Sequence, residues 1–256
     1  MKDSFESLRK MEYSGRGITI GMTPDEKIFA VYTLTGRSPS SQARRLVMDD
    51  KKKVKIEVTD EEQLKKGNPS LLVYNAMIPL VKKDGVYIVV SNGAQTDLLY
   101  KTAKTNNAGA TIDSSLYVAE IAFRDPKFIN GIDITSYEPD APNFTPRISG
   151  VISYVNNFPI GTLHLVKKEG EKIKKETHNF EPELGEGWLI TTYSGENINP
   201  LPPFDRNPFV MKINSKDVGS LVESAFNAIE DHFGVSAAAM TIDKDRNIKI
   251  DILNKY

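Results

Sequence analysis

The sequence predicts an α+β protein with helices packed on the faces of antiparallel sheets. Three observations predict it. Short β-branched runs separated by turn residues fill most of the chain. Helical periodicity is confined to the middle and to one segment near the end. Strands and helices do not alternate, as a doubly wound parallel sheet would require.

The elements follow in order. Ile18-Thr19-Ile20 leads through the turn residues Thr23-Pro24-Asp25-Glu26 to Ile28-Phe29-Ala30-Val31-Tyr32, which reads as a hairpin. Further strands are expected at residues 45–48, 54–58, 71–76 and 86–91. The second half repeats the habit at residues 148–154, 161–167, 188–193 and 209–213, and closes with a pair at 237–242 and 248–253. Helices are expected over residues 96–104, over 114–123 behind Asp113 as N-cap, and over 215–233. In the last of these Val218, Leu221, Val222, Ala225, Ile229 and Phe233 recur at three- and four-residue steps, with Ser215 or Asn214 as cap and Gly234 as stop. Long Pro/Asn-rich loops at residues 137–147 and 196–208 suit active-site loops better than plain connectors. With no repeat and no Gly/Ser tether, one domain over residues 1–256 is expected.

Composition excludes several function classes. The chain has 256 residues, 39% of them hydrophobic, and no cysteine. Disulfides, cysteine-ligated metal and thiol nucleophiles are therefore out. Basic and acidic residues balance at 33 against 34, so a nucleic-acid partner is not expected. The runs Lys51-Lys52-Lys53, Lys65-Lys66 and Lys167 to Lys175 read as solvated faces. The polar N-terminus and the shortness of the apolar runs imply neither export nor a membrane, and a cytoplasmic location is expected. The three histidines, His164, His178 and His232, have no metal-ligand spacing and form no triad, so no histidine-held metal is expected.

Five segments place polar groups at turns. Gly36-Arg37-Ser38-Pro39-Ser40-Ser41, with Arg44 beyond, offers hydroxyls and guanidinium forks to an anion but lacks P-loop spacing. Asn68-Pro69 runs on to Tyr74-Asn75, whose tyrosine by itself suits a core position with a satisfied hydroxyl. Ser91-Asn92-Gly93 leads to Thr96-Asp97 at a helix start, where backbone amides favour an anion or simply a capped turn. Residues 138–147 carry three prolines, two acids, Asn143, Thr145 and Arg147 on one stiff loop. Gly185-Glu186-Gly187 precedes a strand, which argues against a dinucleotide fold.

Together with Gly15-Arg16-Gly17-Ile18, these segments resemble the archaeal-type IMP cyclohydrolase family, in family order from about residue 13 to about residue 210, and particularly its longer bacterial members. The resemblance implies a four-layer αββα fold like that of the N-terminal nucleophile hydrolases, here with no matching nucleophile ahead of the first strand. It also implies closure of the purine ring of a formylated imidazole-carboxamide ribotide to inosine monophosphate, without cofactor. The catalytic set it implies is Arg37, Tyr74, Asn75, Asn92 and Glu138. Arg37 would contact the carboxamide or formyl oxygen, Tyr74 relay a proton, Asn75 fix the amide, and Asn92 hold the base or oxyanion. Glu138, or Asp140, would be the acid/base carboxylate. Substrate binding would fall to Ser38, Arg44 and Arg147 at the phosphate, with Ser91, Gly93, Thr96, Asp97, Asn143 and Thr145. A ribotide amidohydrolase on the same scaffold and a non-catalytic purine-ribotide binder remain alternatives. The partner is a small molecule, and a homo-oligomer stays open.

Overall fold

Turn chemistry starts the fold. The computed structural model describes residues 4–66, 69–105, 116–156 and 158–255. Behind the short helix α1 (Glu6–Arg9), strands β1 (Arg16–Met22) and β2 (Ile28–Thr35) form the expected antiparallel hairpin. Its turn is held by Thr23, whose hydroxyl donates to Asp25 at 2.7 Å and accepts from the Lys27 amide at 3.0 Å. The helical turn α2 (Pro39–Gln42) then leads into β3 (Arg44–Met48) and β4 (Val54–Val58). Helical pieces α3 (Glu61–Lys66) and α4 (Pro69–Leu72) precede β5 (Asn75–Val81) and β6 (Gly85–Ser91). Helices α5 (Gln95–Thr105) and α6 (Val118–Ala122) follow, then the two-residue strands β7 (Phe128–Ile129) and β8 (Ile132–Asp133). The second half contributes β9 (Arg147–Val155), β10 (Phe158–Glu169), β11 (Lys172–Phe180), β12 (Glu186–Thr191) and β13 (Phe209–Lys212). Helix α7 (Val218–Phe226) and the hairpin β14 (Gly234–Ile242) and β15 (Ile248–Asn254) complete the chain.

The strands form two large antiparallel sheets, ordered β13-β12-β1-β2-β14-β15 and β11-β10-β9-β6-β5-β4-β3. Their inner faces meet in one apolar layer that includes Ile18, Ile20 and Tyr32 from one sheet and Ile88, Val90, Ile148 and Ile152 from the other. Phe5 and Leu8 of the N-terminal segment and Leu221, Val222 and Ala225 of α7 cover the outer face of the six-stranded sheet. Leu99 and Ala103 of α5, with Val118 and Ala122 of α6, cover Tyr87, Val89 and Val151 on the other. The layers run αββα. Central strands are covered on both faces, which explains why β2 and β14 read as continuous apolar or small-residue runs. The segment beyond residue 210 thus completes the six-stranded sheet: β14 pairs directly with β2.

Several expectations need correction. Residues 71–76 are not one strand. Pro69 opens a helical turn, with the Val73 amide bonded to the Pro69 carbonyl, and β5 starts only at Asn75. Short apolar runs do not distinguish the two states. Helix α7 is capped by Asp217, which accepts the Ser220 amide at 2.8 Å, and it ends at Phe226. The apolar rhythm continues to Phe233 through tight i→i+3 turns. Of the helix expected over 114–123, Val118–Ala122 is helical, while Asp113 and Ser114 lie outside the described residues, as does Asn68. The lysine-rich run from 167 onward contains β10's end and the edge strand β11, whose charges protect an unpaired edge. Lys167 itself is only 2% exposed.

Candidate active site

Two glycines shape the approach to the cavity. Gly15 takes φ 72°, and a Cβ there would lie 2.7 Å from the Tyr193 ring, so the chain enters β1 pressed against that ring with Arg16 next in line. Gly36 lets the chain turn back on itself, since a Cβ would meet the Ser41 backbone at 2.5 Å.

Between these turns lies a cavity of about 340 Å³, within the range of small-molecule sites. Its charged wall is Arg16, Arg44, Glu138 and Asp140, and Arg37 with Ser38, Ser40 and Ser41 forms its more open side. Tyr13, Asn143, Thr145 and Tyr193 complete the polar wall, with Leu71, Leu72 and Leu201 supplying the apolar one. Both long Pro-rich loops therefore meet here.

The floor is an ion cluster. Arg16 Nη2 lies 3.2 Å from Glu138 Oε1, with 11% and 5% of the two side chains exposed. Arg147 Nη1 lies 3.6 Å from the same oxygen and donates to Gln95 at 3.1 Å. Burial pushes the Glu138 carboxyl above its usual range, against the opposing pull of Arg16 and Arg147, and Asp140 adds to the rise. Burial alone would lower Arg16, but Glu138 and then the Tyr74, Tyr32 and Tyr193 phenols outweigh it, and the group stays above its ordinary value. Burial lowers Arg44 and Arg147. Arg44 is fixed by donating to the carbonyls of Ser41 and Thr35 at 2.8 and 3.4 Å.

A second tier holds the first. Asn92, fully buried, donates to the Pro146 carbonyl at 2.8 Å and accepts from the Ile148 amide at 2.9 Å. It thereby anchors the end of the 138–147 loop. Thr145 bonds both Asp140 and, at 2.7 Å, the Tyr193 hydroxyl. Tyr193 stacks on Tyr13, and the Arg37 guanidinium lies 5.9 Å from the Tyr13 ring. Arg37 also donates to the Ile198 carbonyl at 3.2 Å. Among the described residues no group of three His, Asp or Glu side chains could hold a metal ion.

The site residues expected from sequence separate accordingly. Arg37, Ser38, Arg44, Glu138, Asn143 and Thr145 line the cavity, and Arg147 reaches it through Glu138. Tyr74 sits at the edge of the inter-sheet core, 6% exposed, with its hydroxyl 2.7 Å from that of Tyr32. Asn75 is turned to Asp97, donating to both carboxylate oxygens at 3.0 and 2.9 Å. Ser91 and Thr96 bond each other, and the Thr96 hydroxyl donates to the Gly93 carbonyl at 2.9 Å. Tyr74 does not line the cavity, and neither do Asn75, Ser91, Asn92, Gly93, Thr96 and Asp97. Their partners are internal, so they brace the strand-to-helix turn behind it.

Arg16, Tyr13 and Tyr193 were missed as site residues. Arg16 stands in the quoted Gly-Arg-Gly run, and an arginine at the head of an apolar strand was the available sign. Tyr13 carried none.

A family model described as "IMP cyclohydrolase-like protein" matches residues 13–246. The chain belongs to that family. The match reaches beyond the resemblance read to about residue 210 and takes in β14, which is integral to the sheet that carries Arg16. Comparison with curated proteins finds no match. In this member of the IMP cyclohydrolase-like family no helix, among the described residues, is long and apolar enough to cross a membrane.

Proposed function

We propose that this chain is a cytoplasmic enzyme that closes the ring of 5-formamidoimidazole-4-carboxamide ribotide to give inosine monophosphate. The single observation that carries the reading is the buried Arg16–Glu138–Arg147 cluster at the floor of the cavity. A carboxyl held above its usual range beside fixed guanidiniums can exchange protons while the cations stabilise developing negative charge.

In this reading the carboxamide nitrogen bonds to the formyl carbon, and one of its protons passes to the formyl oxygen. The C–O bond then breaks, the former formamide nitrogen gives up its proton, and the oxygen leaves as water. No electrons change hands, so the chemistry asks for no redox partner. Glu138 carries the protons and Arg16 faces the oxyanion. Arg37 with Ser38, Ser40 and Ser41, on the open side, suits the ribotide phosphate. This moves Arg37 from the reacting carbonyl to the phosphate, because its guanidinium stands at the rim and Arg16 occupies the floor. Orienting the poor amide nucleophile supplies up to roughly 7–11 kcal/mol, and one oxyanion donor about 3 kcal/mol.

The test is incubation with the formylated ribotide, followed by absorbance and chromatography. Inosine monophosphate formed above the uncatalysed rate supports the reading. Amino ribotide with formate would make the protein an amidohydrolase. Ribotide bound but returned unchanged, with binding indifferent to Tyr74→Phe, would make it a non-catalytic binder.

A further inference from the structure

The end of β10 presents two consecutive lysines to opposite sides of the strand. Lys167 is buried, and its ammonium donates to the Phe204 carbonyl at 3.2 Å, to Asp205 at 2.6 Å and pairs with Glu176 at 3.0 Å. Those three partners use every ammonium proton. Phe204 and Asp205 belong to the 196–208 loop, whose Ile198 carbonyl holds Arg37 and whose Leu201 lines the cavity. Lys168 places its ammonium 3.8 Å from the centre of the Phe144 ring. Phe144 belongs to the 138–146 loop, which carries Glu138, Asp140 and Asn143. The two loops touch where the Leu201 amide donates to Asn143 at 3.0 Å.

Burying the Lys167 ammonium is a poor way to stabilise the fold, since an apolar side chain of similar length would fill the space without desolvating a charge. What it supplies is a directional tie to one loop carbonyl and one loop carboxylate. We propose that Lys167 and Lys168 are positioning residues, a clasp at the end of β10 that fixes the two Pro-rich loops against each other and so sets the walls of the cavity. As a statement about turnover, this rests on the cyclohydrolase reading. As a statement about loop order, it does not.

The experiment measures amide hydrogen exchange and steady-state kinetics on the intact protein and its variants. Lys167→Met is expected to speed exchange in residues 196–205 about tenfold, and Lys168→Met to do so in residues 140–145, with the rest of each chain unchanged. KM for the formylated ribotide should rise about tenfold with kcat held within about threefold, and Lys167→Arg should restore most of it. Asp205→Asn, altering a side chain that is 75% exposed, gives the same local exchange change if Lys167→Met does not fold. Exchange unchanged in both loops, faster everywhere alike, or a loss falling on kcat alone would overturn the clasp. If the unaltered protein turns over no ribotide, the cyclohydrolase reading fails, and the clasp stands or falls on the exchange pattern.

Discussion

Two polar clusters are buried in this molecule, one built from paired charges and one neutral. At the cavity floor, the Arg16 and Arg147 guanidiniums lie 3.2 and 3.6 Å from one carboxylate oxygen of Glu138. Under the α5–α6 layer, His164 (3% exposed) faces Ser149 (1% exposed) across the β9–β10 pairing. There His164 stacks on Phe123 at 4.7 Å, with Nδ1 2.8 Å from the Thr177 hydroxyl. Burial, with Lys175 and His178 adding like charge, lowers its pKa to about 4. The difference teaches that depth alone does not decide ionisation. A charge survives burial where an opposite charge was buried with it, and is lost where only neutral or like-charged groups were.

The largest effect should come from breaking the charged cluster asymmetrically. Arg16→Met leaves Glu138 with the more distant Arg147, and unfolding titrations should show a loss of roughly 3–5 kcal/mol. Adding Glu138→Leu should recover part of it, Arg147 then lacking its carboxylate, while leaving the protein inactive. If the double variant is no more stable than the single one, the cluster is not a coupled pair. Glu138→Gln keeps the shape but removes the proton carrier, so kcat should fall by roughly a hundredfold or more, with the pH dependence of the rate flattened.

The neutral cluster should respond to acid instead. A histidine whose folded pKa is about 4, against about 6.5 unfolded, contributes its full stability above pH 6.5. That contribution falls as pH drops through this window and is gone below about 4, amounting to roughly 3 kcal/mol. His164→Phe should remove this part of the acid sensitivity, read as stability at pH 7 minus stability at pH 4. An unchanged difference would mean that His164 is not the acid-sensitive group. The smallest effect belongs to the uncharged Tyr32–Tyr74 hydroxyl pair. Tyr32→Phe should cost roughly 1 kcal/mol, since one neutral hydrogen bond is lost. A loss as large as that of Arg16→Met would mean the phenols belong to the charged cluster.

Much of the fold was legible because period and turn chemistry are local. The β1–β2 hairpin, the β14–β15 pair and α5 lie close to where their residues placed them. Strand β11 was not, because an edge strand with Lys172, Lys174, Lys175 and Glu176 has a solvated composition although its backbone is paired. Which residues would line the cavity was legible where a side chain's chemistry and its loop agreed, as for Arg37, Glu138 and Asn143. It was not legible for Asn75, whose amide is taken up by Asp97, a residue 22 positions away.

By itself, then, the sequence determined that strands outnumber helices and do not alternate with them, as helices packed on antiparallel sheets require, that thiol chemistry is absent, and which loops are stiff and polar. Those properties depend on residue identity and near neighbours. Tertiary structure alone decided which polar groups share a cavity, because Arg16, Glu138 and Arg147 meet only when β1 and β9 come together from different sheets. It also turned Lys167 from an apparent surface charge into a buried tie, since burial depends on what the rest of the chain places above a residue.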